Sequence, residues 1–395
     1  MPDTLPITRP VLGEPECSAA ARAILSGWVT QGPETAAFEQ EFADFTGAPY
    51  ACAVSSCTAA LHMALLASGI GRGDEVITVS HSFIATANAI RYCGATPVFV
   101  DIDPRTWNLD PALLVSAYSR RTRAVVCVHQ MGLPCDLAAI TAFTRAHGLI
   151  LIEDAACAAG SEVLWNGRFE RIGRPHGDIA CFSFHPRKLI TTGEGGMLTT
   201  QHRELDQRFR LLRQHGMSVS DTTRHTSSRA LAESYDVEGY NYRLSDIQAA
   251  VGREQLKRLP HLVSRRRELA DRYREVLSGI AGLNLPEEPS WARTNWQSFC
   301  IRLPEWADQR TVMQKMLDRG IATRRGIMCA HREPAWSDPG SWRMPIARSL
   351  VRSEAAQDQC IILPLFDSMT SDDQQRVGEA LAAALAESAV AADSV

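Results

Sequence analysis

Between Glu14 and Gly252, short apolar runs alternate with amphipathic stretches, and this rhythm constrains the fold more than any other feature. The runs Tyr50–Val54, Glu75–Val79, Thr96–Val100, Ala124–His129, Leu149–Glu153, Ile179–Phe184 and Met197–Thr200 have the length and composition of strands. Helical spacing covers Thr58–Ser68, Ile84–Tyr92, Pro111–Ser119 and Leu137–His147 between them. Several runs are apolar at nearly every position, so both faces of the sheet need cover. The expectation is an α/β fold with a mostly parallel central sheet.

The flanks read differently. Residues 1–13, with Pro2, Pro6 and Pro10, are expected to form an extended arm. Residues 14–255 are assigned to a large domain, and 256–395 to a smaller α+β C-terminal domain. Pro260 is expected to break the helical pattern between Ser245 and Leu277, leaving a second helix over His261–Leu277. The polar stretch 218–238 reads as a mobile loop, and 387–395 as a frayed tail.

A net charge of −4 gives no electrostatic reason to expect nucleic acid or an anionic membrane as partner. The N-terminus has neither the basic start nor the apolar run of a secretory signal, and no apolar stretch is long enough to span a bilayer. The eleven cysteines are scattered and never spaced Cys-x-x-Cys. They read as small apolar residues in a reducing cytoplasm, with no metal site expected.

Among forty-one basic residues only Lys188, Lys257 and Lys315 are lysines. Where arginine supplies positive charge so generally, a retained lysine is a candidate for chemistry that a guanidinium cannot do, above all forming an imine. Lys257 and Lys315 occupy ordinary helix positions. Lys188 follows a strand and precedes the glycine-rich turn containing Gly193, Gly195 and Gly196. On this ground alone, a catalytic amine and a surface lysine stay equally open.

Other features fit one cofactor around Lys188. Asp154 follows the run Leu149–Glu153, at the carboxyl edge where open α/β sheets bind ligands, and could pair with a protonated pyridine nitrogen. It could equally cap a helix. The turn Ser56-Cys57-Thr58 lies between a strand and a helix, where free N–H groups and hydroxyls suit a phosphate. Ser183 could add another hydroxyl. Phe83, after the strand Glu75–Val79, could stack on a flat ring or belong to the core. Together these point to pyridoxal 5′-phosphate (PLP) carried as an imine on Lys188.

At this point the chain resembles the DegT/DnrJ/EryC1/StrS family of sugar aminotransferases, over about Gly27 to Met369. The likeness rests on Gly-Trp-Val-Thr-Gln-Gly-Pro (27–33), Gly-Asp-Glu-Val-Ile (73–77), Gly-Ala-Thr-Pro-Val-Phe-Val-Asp-Ile-Asp (94–103) and Ile-Glu-Asp-Ala-Ala (152–156). It continues through Phe-Ser-Phe-His-Pro-x-Lys (182–188), Thr-Gly-Glu-Gly-Gly (192–196) and Gly-Tyr-Asn-Tyr-Arg-Leu-Ser-Asp-Ile-Gln-Ala-Ala (239–250). The resemblance implies a fold-type-I PLP aminotransferase and a homodimer with shared active sites. It makes Lys188 the imine lysine, Asp154 the partner of the pyridine nitrogen and Phe83 the stacking ring. Ser56, Cys57 and Ser183 then meet the phosphate, and Asn241 reaches it from the neighbouring subunit.

Two departures from the family pattern stand out. The phosphate turn has Ser56-Cys57-Thr58 where relatives have Gly-Thr or Ser-Thr. Cys157 stands where relatives commonly carry Gln or His near the cofactor, and a thiol is a poorer donor.

The implied reaction moves an amino group from glutamate or glutamine to a keto-sugar, usually nucleotide-linked. Within the family, a keto-cyclitol acceptor and a sugar dehydratase are the alternatives, although the dehydratases lacking an imine carry His at the lysine position. A regulatory protein that binds PLP without turnover and a structural protein are the readings from other classes. His185, Glu194, Arg243, Arg325 and His331 are the candidate substrate contacts.

Overall fold

The computed structural model describes residues 4–219, 224, 227–338, 340–345 and 349–392. Five strands come first: β1 (Tyr50–Val54), β2 (Glu75–Val79), β3 (Thr96–Val100), β4 (Thr122–Val128) and β5 (Ile150–Asp154). A hairpin of β6 (Glu162–Trp165) and β7 (Arg168–Arg171) follows. It turns at Asn166-Gly167, where φ is 49° and 83°, a two-residue turn that local sequence favours but that the alternation of apolar runs does not reveal. Then β8 (Ile179–Ser183) and β9 (Gly196–Thr200) complete a seven-stranded sheet in the order β1-β9-β8-β5-β4-β2-β3.

Every adjacent pair from β3 to β8 is parallel, while β9 runs antiparallel to both β8 and β1. Cover on both faces has a visible cause. Along β4, Val125 and Cys127 enter one apolar cluster, while Ala124 and Val126 enter another on the opposite face. Leu151 and Ile152 divide in the same way on β5. The mostly parallel α/β sheet expected from the sequence is therefore present.

The remaining strands are β10 (Ala292–Arg293), which extends the hairpin sheet, and β11 (Phe299–Arg302), β12 (Arg324–Arg325) and β13 (Cys360–Leu363). The last three form a sheet ordered β11-β13-β12, over a separate core containing Tyr273, Phe299, Val312 and Leu381. Part of the N-terminal arm is extended and pairs Leu5 with Ile321.

Two expectations need correction. Helix Asp246–Leu277 runs through Pro260 without a break. A proline inside a helix costs about 3 kcal/mol, but here Leu256, Leu259, Leu262 and Val263 pack into the main core and Leu269, Tyr273 and Leu277 into the second. Burial of that many side chains, each worth about 1.5–3 kcal/mol, outweighs one missing bond. Nor does the chain fray from residue 387, because helix Ser371–Ala392 continues, with Leu385 and Ser388 buried; residues 393–395 lie outside the described residues.

The stretch 218–238 is closed at its base by a bridge between Met217 and Tyr235, and residues 220–223, 225 and 226 lie outside the described residues. Among the described residues, no helix is long and apolar enough to cross a membrane.

Candidate active site

The carboxyl edge of the main sheet gathers the site by register. Gly196, the first residue of β9, is paired on one side with Val54 and on the other with Ser183. The turn that begins at Ser55 therefore lies beside the end of β8. A Cβ on Gly196 would come within 2.5 Å of the Ser56 carbonyl carbon, so only glycine allows this approach. Ser56 caps helix Cys57–Ala67, its Oγ accepting from Ala59 N–H at 3.1 Å. The first N–H groups of that helix have no intrahelical acceptor.

Asp154 ends β5 and is 4% exposed. Its Oδ2 accepts from Thr86 Oγ1 at 2.7 Å and its Oδ1 from Ala156 N–H at 3.2 Å. Thr86 in turn meets Ser82 Oγ at 2.8 Å. Burial pushes the Asp154 carboxyl above its usual range, against these hydrogen bonds and the Lys188 charge. Behind it, His129 Nδ1 accepts from Cys135 N–H at 2.9 Å, which leaves Nε2–H to donate to Glu153 at 3.0 Å. His129 N–H also bonds the Asp154 carbonyl, so this pair braces the strand end.

Lys188 sits in a turn closed by its own N–H on the His185 carbonyl at 2.8 Å. Its Nζ lies 3.1 Å from Cys157 Sγ. Burial alone would lower the amine, but Cys157, Cys57 and Asp154 outweigh it and raise its affinity for the proton. The buried Cys57 thiol is pushed well up by desolvation and Asp154. Lys257 and Lys315 instead pair on helix surfaces with Glu254 and Glu387.

Comparison with known proteins decides the family. The model of the DegT/DnrJ/EryC1/StrS aminotransferase family matches residues 10–382. The aminotransferase TlmJ from Streptoalloteichus hindustanus is 34% identical, with 97% of this chain and 99% of that chain covered and a TM-score of 0.87. S. venezuelae DesV is 33% identical, with 96% and 98% covered and a TM-score of 0.85. Helicobacter pylori PseC, an aminotransferase of pseudoaminic acid biosynthesis, shares the fold at 24% identity and a TM-score of 0.88, over 97% and 100% of the two chains.

This chain belongs to that family of PLP-dependent aminotransferases.

Its sheet edge fits the cofactor of the family. Asp154 is a buried carboxylate that no cation hydrogen-bonds among the described residues. Lys188 is an amine with no carboxylate bonded to it among the described residues, and the capped turn at Ser56 offers free N–H groups to an anion. These are the donor and acceptor types that a pyridine nitrogen, an aldehyde and a phosphate require.

The other expected residues divide into two groups. Phe83 is 69% exposed, its carbonyl accepting from Thr86 N–H. Asn241 is exposed and bridges to Gln214. The Glu194 side chain is also exposed, while its carbonyl accepts from Thr192 and Gln248. His185 Nδ1 accepts from Arg187 N–H at 3.2 Å. Ser183 Oγ accepts from His185 N–H at 3.4 Å. Arg243 is half-buried beside Leu244.

Arg325 and His331 are already engaged. Arg325 lies 3.3 Å from Glu333. His331 bonds Ser80 Oγ at 2.7 Å and Glu354 at 3.0 Å, tying the segment after β12 to the turn that carries Phe83. Sequence reasoning missed Thr86, one residue into a helix and without motif value alone. It also missed Asn295, whose Nδ2 donates to the Cys157 carbonyl at 2.8 Å. Gln297, which donates to the Arg187 carbonyl, was a third omission. No local pattern links 295–297 to 157 and 187.

Proposed function

We propose that this chain transfers an amino group from glutamate or glutamine to a keto-sugar, with a nucleotide-linked sugar as the acceptor class. The observation that carries the reading is a buried, cation-free Asp154 within electrostatic reach of the lysine amine that the composition singles out. When bound, PLP supplies an electron-poor ring that stabilises the electron pair left by a departing α-proton.

The residues of this chain do the rest. Asp154 holds positive charge at the ring-nitrogen end, where burial makes its ion pair strong. Lys188 Nζ is the group that would hold the cofactor as an imine, and as a free amine it would serve as the general base and acid that moves the substrate α-proton. Cys157 Sγ, 3.1 Å away, positions that amine. Ser56, Cys57 and Ser183 line the phosphate end, with the N–H groups at the helix start as donors. Phe83 covers one ring face. Its exposure, and that of Asn241, suits a homodimer in which a second subunit completes the site.

The test is a half-reaction on PLP-loaded protein. Glutamate or glutamine should bleach the visible absorbance of the bound cofactor, and a nucleotide-linked keto-sugar should restore it. A cofactor band that no amino donor bleaches would overturn the transaminase reading. A keto-cyclitol that restores the band where every keto-sugar fails would overturn the acceptor class.

A further inference from the structure

One short segment, 295–298 between β10 and β11, is bonded to both sides of the Lys188–Cys157 contact. Asn295 is fully buried, and its Nδ2 donates to the Cys157 carbonyl at 2.8 Å and to the Ala159 carbonyl at 2.9 Å. Its Oδ1 accepts from Gln297 N–H at 2.9 Å, and its own N–H donates to Ser161 Oγ at 3.0 Å. Ser161 Oγ in turn donates to the Gly132 carbonyl at 2.6 Å. Gln297 is buried as well, and its Nε2 donates to the carbonyl of Arg187, the residue before Lys188.

The segment is fitted closely. Trp296 takes a φ of 50°, which a non-glycine residue keeps only where its surroundings hold it there. Its ring belongs to the second core, 5.6 Å from Phe299 and with the Arg274 guanidinium 4.7 Å away. On the facing turn Met131 has a φ of 56°, and its carbonyl accepts from Ser298 N–H at 3.3 Å. A Cβ on Gly132 would meet Asn295 Oδ1 at 2.0 Å, so this approach needs glycine.

The loop after β5 carries Cys157 and the turn after β8 carries Lys188, and one clip grips both. Their side chains meet at 3.1 Å. Lys188 N–H to the His185 carbonyl and Arg187 N–H to His185 Nδ1 are bonds within the turn. The Gln297 bond comes from outside the turn, and so fixes where the Lys188 stem stands relative to Cys157. Misplacing a reacting group by about 1 Å can cost about a hundredfold in rate.

We propose that Gln297, held by Asn295, is a positioning residue that sets Lys188 Nζ against Cys157 Sγ for proton transfer. It acts through the Arg187 carbonyl. The proposal rests on the reading of Lys188 as the reacting lysine.

The test compares PLP-loaded wild type with Gln297→Leu, which keeps the bulk but not the donor, and Gln297→His, which restores an N–H donor. Gln374→Leu is the structural control, because Gln374 is an equally buried carboxamide that donates to the Leu269 carbonyl at 2.7 Å in the second core. Lys188→Ala completes the set. The readings are the pH midpoint of the visible cofactor absorbance, the rate and half-saturation of its bleaching by glutamate or glutamine, whichever is faster, and the melting temperature.

Gln297→Leu should move the absorbance midpoint by about half a pH unit or more and slow maximal bleaching about tenfold or more, with half-saturation within about twofold of wild type. Gln297→His should recover most of both. Gln374→Leu should lower the melting temperature and leave both optical readings unchanged. Should Gln297→Leu not fold, Gln297→Glu, which turns an acceptor toward the same carbonyl, carries the same expectations.

A wild-type midpoint and bleaching rate in the Gln297 variant would overturn the positioning role, whatever its melting temperature. So would optical changes that Gln374→Leu reproduces. If the band depends on Lys188 while the Gln297 variant behaves as wild type, only the positioning role fails. A band that persists in Lys188→Ala would overturn the reading of Lys188, and the positioning role with it.

Discussion

The floor of the site around Asp154 and its rim around Arg187 meet at Lys188, and they differ in how far the fold alone has satisfied them. On the floor, side chains are fixed by hydrogen bonds from within, Asp154 by Thr86 and Ala156, Ser56 by Ala59, Glu153 by His129, and what stays open there is the Asp154 charge and the first N–H groups of helix Cys57–Ala67, which match a cofactor. On the rim, Phe83 and Asn241 are exposed, and the exposed Arg187 and Arg324 have no acceptor among the described residues. A group that finishes its contacts during folding is ready before any ligand arrives. One left with charge or apolar area unpaired keeps that free energy for binding. The floor is thus suited to a resident cofactor, and the rim to what comes and goes.

The largest expected effect concerns what holds the floor up. Glu39 on helix Pro33–Thr46 is buried, accepts from Ala53 N–H at 2.9 Å and pairs with Arg210 at 2.7 Å and with Arg213. Burial would raise this carboxyl, but Arg213 and Arg210 win and hold it below its ordinary value of 4.5. A group depressed in the folded state adds stability above its unfolded value and loses it as pH falls through the folded value. Glu39→Gln should therefore cost about 3–5 kcal/mol near neutral pH, as expected for a broken buried pair. The difference from wild type should shrink as pH drops below about 4.5. Urea unfolding at both pH values checks this, and a pH-independent difference would remove the ion pair from the explanation.

Next comes the floor itself. Asp154→Asn keeps the shape and the Thr86 contact but removes the charge. Turnover should fall by about 10²–10³-fold, the scale for losing one preorganised electrostatic group. Stability should barely change, because the lost charge was buried without a bonded cation. Unchanged turnover would mean that floor and rim do not differ in function as described.

Gly196→Ala should act on stability and cofactor together. The added methyl meets the Ser56 backbone at 2.5 Å and Cys57 N at 2.7 Å, and overpacking of this kind costs about 1–3 kcal/mol. A melting curve with and without PLP should show a lower midpoint and a smaller shift on adding the cofactor. The smallest effect belongs to the rim. Phe83→Leu should leave the melting midpoint of the cofactor-free protein almost unchanged, since the ring is 69% exposed, and weaken PLP binding by about 0.5–1.5 kcal/mol. A large drop in cofactor-free stability would mean that Phe83 belongs to the floor.

The same division explains what the sequence allowed to be read. Floor residues come from strand ends and the turns just after them, where apolar periodicity locates them within a residue or two. Asp154 proved to be the last residue of β5, and Ser56 the cap of the next helix. Thr86 escaped because only the packing of helix Ala85–Tyr92 brings its hydroxyl to Asp154.

On the rim, Arg325 and Arg324 are indistinguishable as sequence. What separates them is strand direction and the position of Glu333, both products of tertiary structure. Pro260 failed as a boundary for the reverse reason: a strong local signal gave way to burial along both halves of helix Asp246–Leu277.

The central claim is that Lys188, alone among three lysines, carries the cofactor. The most direct measurement is borohydride reduction of PLP-loaded protein, followed by digestion and mass mapping of the lysine that retains the pyridoxyl group. The account predicts the label on the peptide containing Lys188, none on Lys257 or Lys315, and none anywhere in Lys188→Ala. Label on either of the other two lysines, or label persisting in Lys188→Ala, would contradict it.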